Sequence, residues 1–440
     1  MKLGKRLAVL VAAAALVVAA GACSEELTGG AACPVLCPES GFDIVDTVLL
    51  DPVAFDTTVR GYPQPGREGQ LTLLQRFVPG DTAITAGIVR FDFVPKTIPV
   101  GTSDSTPVAK VDSALLRLAV VSATADSLSR RDTLKRVPVT IEVYDVDTTA
   151  SDFDTAAVRA RFRASTLIGT YTVRRDSLPD SIFVRLDTAA VRARVATGRV
   201  RVGVRIRSDS SMQVPIVSTD VGGPLFLRFW ARGAGVDTAI VRTVSPASSS
   251  SGEEGDVPSL QDYLLVLRGT PPPPPQVLSM GGLPAQRAYI RLSLPARLVD
   301  SVTVVRAALV LTQAPVRGRT DDTVRTAVQA NVSVARELLD VGRAALLVQA
   351  MEGLNEQIRA PRDSGLVRFE LAGSSTGLTP TPMQFWRGIG EDELPRVVVL
   401  RSAREGQSAS EFYFYSSEAP ANVRPRIEIA YIPRVDFSLP

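Results

Sequence analysis

The sequence predicts an all-β protein built from two tandem antiparallel β-sandwiches. Three observations carry that expectation. Apolar and polar residues alternate with a period of two, clusters of Pro, Gly, Asp and Ser punctuate the runs, and the same order of runs occurs twice. The composition, 45% hydrophobic and 22% charged over 440 residues, is that of a globular chain.

The amino terminus comes first. Lys2, Lys5 and Arg6 precede an apolar run from Leu7 to Ala20, which is 14 residues long. Such a run is too short to span a bilayer as a helix and fits the core of a secretory signal. It ends in Ala20-Gly21-Ala22-Cys23, which resembles a bacterial lipobox. The resemblance implies cleavage after residue 22 and lipidation of Cys23. Several acyl chains on one residue give stable anchoring where a single chain gives marginal binding. Ser24 is not the aspartate-type retention residue, so the expected site is the outer membrane of a two-membrane host, and otherwise the outer face of the plasma membrane. Cys33 and Cys37 follow at C-x3-C spacing, and an oxidising compartment favours a local disulfide. Residues 23–46 read as a lipidated tether.

The signal holds three of the 49 basic residues and no acidic one, so the mature chain balances 46 against 46. A neutral chain lacks the cation excess on which nucleic-acid binding rests. There is no His, which excludes imidazole bases and Ser-His-Asp or Cys-His nucleophiles, and three Cys are too few for a four-thiolate zinc site. No catalytic residue and no cofactor is expected.

From Thr47 onward strands dominate. The clearest is Arg199 to Arg207, where Arg199, Arg201, Arg205 and Arg207 alternate with aliphatic residues as on a sheet with one solvated face. Similar runs cover Ile88–Val94, Leu115–Val121, Val137–Val146, Ile182–Leu186, Leu225–Trp230, Val304–Thr312, Val397–Arg401, Phe412–Tyr415 and Arg426–Tyr431. One short helix is expected where Asp187 can cap Thr188 to Val195 before Gly198, and a weaker one over Asp154–Phe162. Residues 323–358 carry both helical composition and alternation, and the repeat favours strands.

The repeat aligns Val59-Arg60-Gly61 and Gln70 to Leu73 with Leu267-Arg268-Gly269 and Gln276 to Ser279. It aligns Ile88 to Pro95 with Tyr289 to Pro295, Ile182 to Leu186 with Leu366 to Leu371, and Leu225 to Pro246 with Glu411 to Pro433. Sandwiches are therefore expected over 47–246 and 260–433, joined by a Ser/Gly/Glu-rich linker at 247–259 and followed by a tail at 434–440. The Pro271 to Pro275 run is a rival boundary.

The order of elements resembles the DNRLRE-type domains of bacterial and archaeal surface proteins. The residues that carry the likeness are Arg90-Phe91-Asp92 in a strand ending at Pro95, Ser113-Ala114-Leu115, the closing Phe412 to Glu418, and Arg424 to Tyr431. The resemblance implies jelly-roll sandwiches akin to carbohydrate-binding modules, and implies no catalytic residues. Candidate ligand-stacking aromatics are Tyr413, Tyr415, Trp230 and Trp386, because ring faces pack on the apolar side of a sugar. Asp145, Asp147, Asp152 and Asp154 form a candidate calcium cluster of oxygen ligands. The expected roles are structural, adhesive or partner-docking, with recognition of a cell-wall or extracellular polysaccharide as the alternative.

Replacing Cys23 by Ser should release the chain from membranes in detergent-free fractionation. Unchanged sedimentation with membranes would refute anchoring at this residue.

Overall fold

The computed structural model describes residues 44–62, 70–78, 81–101, 104–121, 136–148, 154–219, 225–247, 260–269, 272–315, 326–333, 356–358, 365–372, 381–402, 405–406 and 411–433. Cys23, Cys33, Cys37 and Asp152 lie outside them, as does nearly all of the expected 247–259 linker. The described residues fold as antiparallel β-structure, as the period-two alternation predicts.

The chain opens with β1 (Val45–Leu49) and β2 (Val53–Tyr62). Then come β3 (Gln70–Val78), β4 (Asp81–Phe91), β5 (Thr97–Val100), β6 (Asp104–Ala119), β7 (Pro138–Asp145), β8 (Leu167–Arg174), β9 (Ser181–Arg185), β10 (Val200–Arg207), β11 (Met212–Val217) and β12 (Phe226–Gly233). Next are β13 (Ile240–Val244), β14 (Asp262–Arg268), β15 (Val277–Gly281), β16 (Ala285–Leu292), β17 (Val302–Ala314) and β18 (Thr326–Ser333). The last are β19 (Glu356–Ile358), β20 (Leu366–Ala372), β21 (Val397–Ser402), β22 (Glu411–Tyr415) and β23 (Arg426–Pro433). Strands at 326–333 and 356–358 place parts of the ambiguous stretch in sheets.

Four short helices interrupt the strands: α1 (Thr155–Arg159), α2 (Thr188–Thr197), α3 (Ala296–Asp300) and α4 (Pro382–Trp386). α2 forms as its sequence signals require. The Asp187 carboxylate accepts from the Ala190 amide at 2.7 Å, and Gly198 ends the helix at φ 79°. Its buried Val191 and Val195 pin it to the core.

The first sandwich stacks a seven-stranded sheet, ordered β11-β3-β4-β10-β7-β8 with β14 on β4, against a five-stranded sheet ordered β13-β12-β6-β5 with β9 on β6. Leu71, Leu73, Val89, Phe91, Val202 and Val204 from one layer meet Leu116, Leu118, Ile182, Val184, Leu227 and Phe229 from the other, all buried. The second sandwich is one 11-stranded sheet curled on itself. Its long β17 pairs with β23 and β20, then at Gln313 and Ala314 with β22, which joins the layers around Phe369, Phe412, Phe414 and Ile427.

Strand pairing repeats between the halves. β4 pairs with β10 as β16 does with β21, β10 with β7 as β21 with β18, and β3 with β11 as β15 with β22. β6 likewise takes β12 and β9 as β17 takes β23 and β20. The strands that open each copy depart from the sequence expectation. β14 joins the first sandwich on β4, while β1 and β2 join the second, on β23 and β16. β13 stays on β12, inside 47–246 as expected, but the pairing matches β11 and β12 to β22 and β23, one strand off the alignment of Leu225 to Pro246 with Glu411 to Pro433. The first sandwich thus runs from 70 to 268, and the second takes 277–433 together with 45–62. Two self-contained stretches, 47–246 and 260–433, do not contain this exchange. The sheets change hands at the Pro271 to Pro275 run, and residues 248–259 fall between two strands of the first sandwich.

The same polar clamp holds β2 and β14. Asp56 of β2 accepts from the Ser417 amide at 2.7 Å and from its hydroxyl at 3.2 Å. Asp262 of β14 does the same with the Thr219 amide at 2.7 Å and the Ser218 hydroxyl at 3.2 Å.

A nick engineered within 248–259 should leave two pieces that co-elute in native size exclusion and part only in denaturant. Each piece holds strands of the other's sheet. Two separately eluting β-rich bodies in native buffer would contradict the exchange.

Candidate functional site

The richest cluster of ionisable side chains sits where β7 ends beside α2. Arg194, in the last turn of α2, bonds Asp145 through Nε and Nη2 at 2.9 and 2.8 Å, and Asp147 through Nη1 at 2.9 Å. Arg199, between α2 and β10, pairs with Asp147 at 2.8 Å and donates to the Thr148 carbonyl at 3.0 Å. Arg161 approaches Asp145 at 4.0 Å. Asp147, Thr148, Arg194 and Arg199, with Asp92, Thr197 and Gly198, line an open cleft of about 480 Å³.

This geometry bears on the calcium candidates. A calcium ion needs six to eight oxygen ligands, and guanidinium groups already occupy the Asp145 and Asp147 carboxylates. Asp154 is committed elsewhere, capping α1 by accepting from the Ala157 amide at 3.0 Å. Among the described residues no group of three His, Cys, Asp or Glu is arranged to hold a metal. Asp145 and Arg194 lie 49 positions apart, and no local pattern in the sequence announces their pairing.

A second network covers the outer face of the seven-stranded sheet. Glu142 accepts from Arg205 and Arg207, each at 2.8 Å, and from the Tyr144 hydroxyl at 2.7 Å. Arg205 also stacks 4.9 Å from the Tyr144 ring centre. Burial pushes the Glu142 carboxyl up, but the Tyr144 and Arg205 hydrogen bonds and the Arg205 charge outweigh it and hold it below the usual range. Burial and the bond to Glu142 push the Tyr144 hydroxyl up to about 12. The expected solvated arginine face holds for Arg207, while Arg201 is 2% exposed. The turn after α1 lays the Phe162 ring on Gly203, where a side chain would have no room, and so covers this part of the face.

The four aromatic candidates do not converge. Trp386 is 1% exposed and packs in the second core beside Met383 and Phe369. Tyr413 is 8% exposed, and its hydroxyl donates to Glu411 at 3.1 Å. Alternation turns Tyr413 away from the core shared by Phe412 and Phe414, as the sequence suggests. That side of β22 is nevertheless covered, because Arg76 of the first sandwich reaches Glu411 at 3.4 Å. Tyr415 is partly buried with Val277 in the same small cluster. Trp230 alone stands half-buried on an outer sheet face, that of β12.

Fold and site together define a class: an all-β protein of two strand-exchanging sandwiches whose densest charge cluster is internally paired. No protein-family model matches the chain, and no curated protein matches it. Among solved structures, it overlays on a protein of Parabacteroides distasonis ATCC 8503 inferred to be secreted, at 9% identity and a TM-score of 0.22, covering 85% of this chain and 99% of the other. The infectious bursal disease virus VP2 subviral particle gives 10% identity and a TM-score of 0.13, covering 83% of this chain and 77% of the other. Overlays at these scores do not define a role.

Glu142→Gln should lower stability at neutral pH by about 1–3 kcal/mol, the scale of hydrogen bonds to charged groups. Because the folded pKa is depressed, this contribution is complete above the unfolded value of 4.5 and is lost as pH falls through the folded one. Urea melts of the two proteins should therefore converge in acid; an equal gap at every pH would contradict the assignment.

Proposed function

We propose that this chain is an exported lipoprotein, held at a membrane through lipid on Cys23, whose work is structural, adhesive or partner-docking and not catalytic. The observation that carries the reading is the basic start and 14-residue apolar run leading directly into Ala20-Gly21-Ala22-Cys23. Among the described residues no helix is long and apolar enough to cross a membrane. Lipid at Cys23 would supply the attachment. The non-catalytic part is supported by the charge cluster beside α2, where Asp145 and Asp147 are engaged by Arg194 and Arg199. Catalytic acids and bases need groups left accessible to a substrate instead.

A second reading, glycan binding, is favoured by one observation: Trp230 is only partly buried, on an outer sheet face of β12. A glycan array probed with the purified chain, with and without calcium, separates the two. Silence throughout supports the docking reading, and calcium-independent signal lost in Trp230→Ala supports glycan recognition. Hydrolysis of any arrayed polysaccharide would overturn both.

A further inference from the structure

The outer face of the five-stranded sheet interleaves aromatic rings with arginines. At the level of Ser113 to Arg117 four strands lie side by side in the order β13, β12, β6, β9, spanning roughly 15 Å at ~4.8 Å per strand. Leu116, Leu227, Phe229, Ile182 and Val184 point into the core, so their neighbours point out. The outward residues include Phe183, Phe226 and Trp230, interleaved with Arg117, Arg185 and Arg228.

Register fixes the interleaving. Arg117 lies between Phe183 on β9 and Phe226 on β12, and Arg228 lies opposite Leu115. The Arg117 guanidinium sits 5.8 Å from the Phe183 ring centre and 5.4 Å from that of Phe226, and Arg228 sits 4.8 Å from Phe226. Phe183 is 45% exposed, and Val241 beside Trp230 is 47% exposed. No Asp or Glu occupies an outward position at these levels. Arg117 donates to the Ser181 hydroxyl at 3.0 Å and Arg228 to the Thr243 hydroxyl at 3.1 Å, but neither they nor Arg185 makes an ion pair among the described residues. That contrasts with the other sheet of the same sandwich, where Glu142, Asp145 and Asp147 engage Arg205, Arg207, Arg194 and Arg199.

From this we infer that the face formed by Arg117, Arg185, Arg228, Phe183, Phe226 and Trp230 docks on an anionic phospholipid surface. The inference rests on the lipoprotein reading and names the surface the body leans against. Aromatic rings with a polar handle favour the headgroup layer, and basic residues are drawn to anionic lipid. The 21 residues from 24 to 44 reach at most ~70 Å when extended, so a chain anchored at Cys23 keeps its body next to the bilayer. Tethering raises the effective concentration of face and surface for each other, and three unpaired guanidinium groups then suffice where they would be weak in free solution.

The test adds the full lipidated chain to vesicles of phosphatidylcholine, alone or with phosphatidylglycerol, both carrying a brominated phosphatidylcholine that quenches tryptophan at short range. The chain has two Trp, and Trp386 is shielded in the core, so quenching reports Trp230. Flotation is expected with both vesicle types, and quenching only with phosphatidylglycerol. The quenching should be reversed by raised salt and lost in Trp230→Phe and in the triple Arg117→Gln, Arg185→Gln, Arg228→Gln variant, since each basic residue near such a surface contributes about fivefold in affinity. The salt reversal needs no variant and stands if the triple variant folds poorly. Flotation without quenching, or quenching equal on both vesicle types, overturns the docking face and leaves the anchor intact; absence of flotation overturns the anchor and the inference with it. A Trp230-dependent emission change with soluble polygalacturonate, and none with vesicles, would make an anionic glycan the occupant and overturn the lipid surface.

Discussion

The arrangement hangs on two carboxylates that each fix a strand borrowed from the other end of a copy. Asp56 ties β2, and Asp262 ties β14, to the segment after β22 or β11 through one amide and one hydroxyl. Hydrogen bonds that a carboxylate accepts are roughly twice as strong as neutral ones. The two clamps differ in setting. Burial raises the Asp56 carboxyl above its usual 3.8 despite the Ser417 bonds that lower it, so its contribution is greatest in acid and weakens as pH rises through the folded value. Around the first clamp Arg424 adds a contact to Asp51, in the turn before β2, at 3.3 Å. The closing residues Phe412 to Glu418 and Arg424 to Tyr431, the most distinctive stretch of the sequence, are thus the ones that receive the amino-terminal strands.

Arginine does most of the polar work on the sheet faces. Its long stem lies along the apolar strand surface and its planar head binds carboxylates from two directions, so one Arg194 ties α2 to two carboxylates at the end of β7 with more geometric control than a Lys would give. On the outer face of the seven-stranded sheet those heads are neutralised in place. The five-stranded sheet leaves two of them, Arg117 and Arg228, on ring faces instead, held by cation–π contact and hydroxyl groups. A chain whose charges nearly cancel, 49 basic against 46 acidic, can therefore carry a locally cationic surface, which the sum over residues conceals.

How much of this was legible in the sequence follows from the range of each interaction. Alternation identified the strands, because facing is a property of neighbours in the chain. Asp187 and Gly198 placed α2 for the same reason. The order of runs revealed the duplication, but it could not say which copy each opening strand joins, because β2 and β14 carry the same pattern and fit either sheet. The polar Ser248 to Gly255 stretch looked like a boundary on composition alone. Burial on outer faces was beyond local pattern too: Arg201 and Tyr413 both alternate outward, and both are covered by segments that approach from far along the chain.

Exchange also has a kinetic consequence. The β2 ladder to β16 joins Tyr62 to Ala285 and Val53 to Leu292, separations of more than two hundred residues. The entropy of closing so long a loop grows only logarithmically, so at equilibrium the cost is small against an eight-position ladder. The rate is another matter, since non-local pairing slows folding. During synthesis β1 and β2 emerge first and wait until β23 and β16 are made, while β3 to β14 can already complete the first sandwich. An unpaired apolar edge that waits this long invites wrong pairing. β2 meets that hazard with Asp56 and Arg60 set among its apolar residues, charges that tolerate water during the wait. The same Asp56 that clamps the finished fold also protects the strand before its sheet exists.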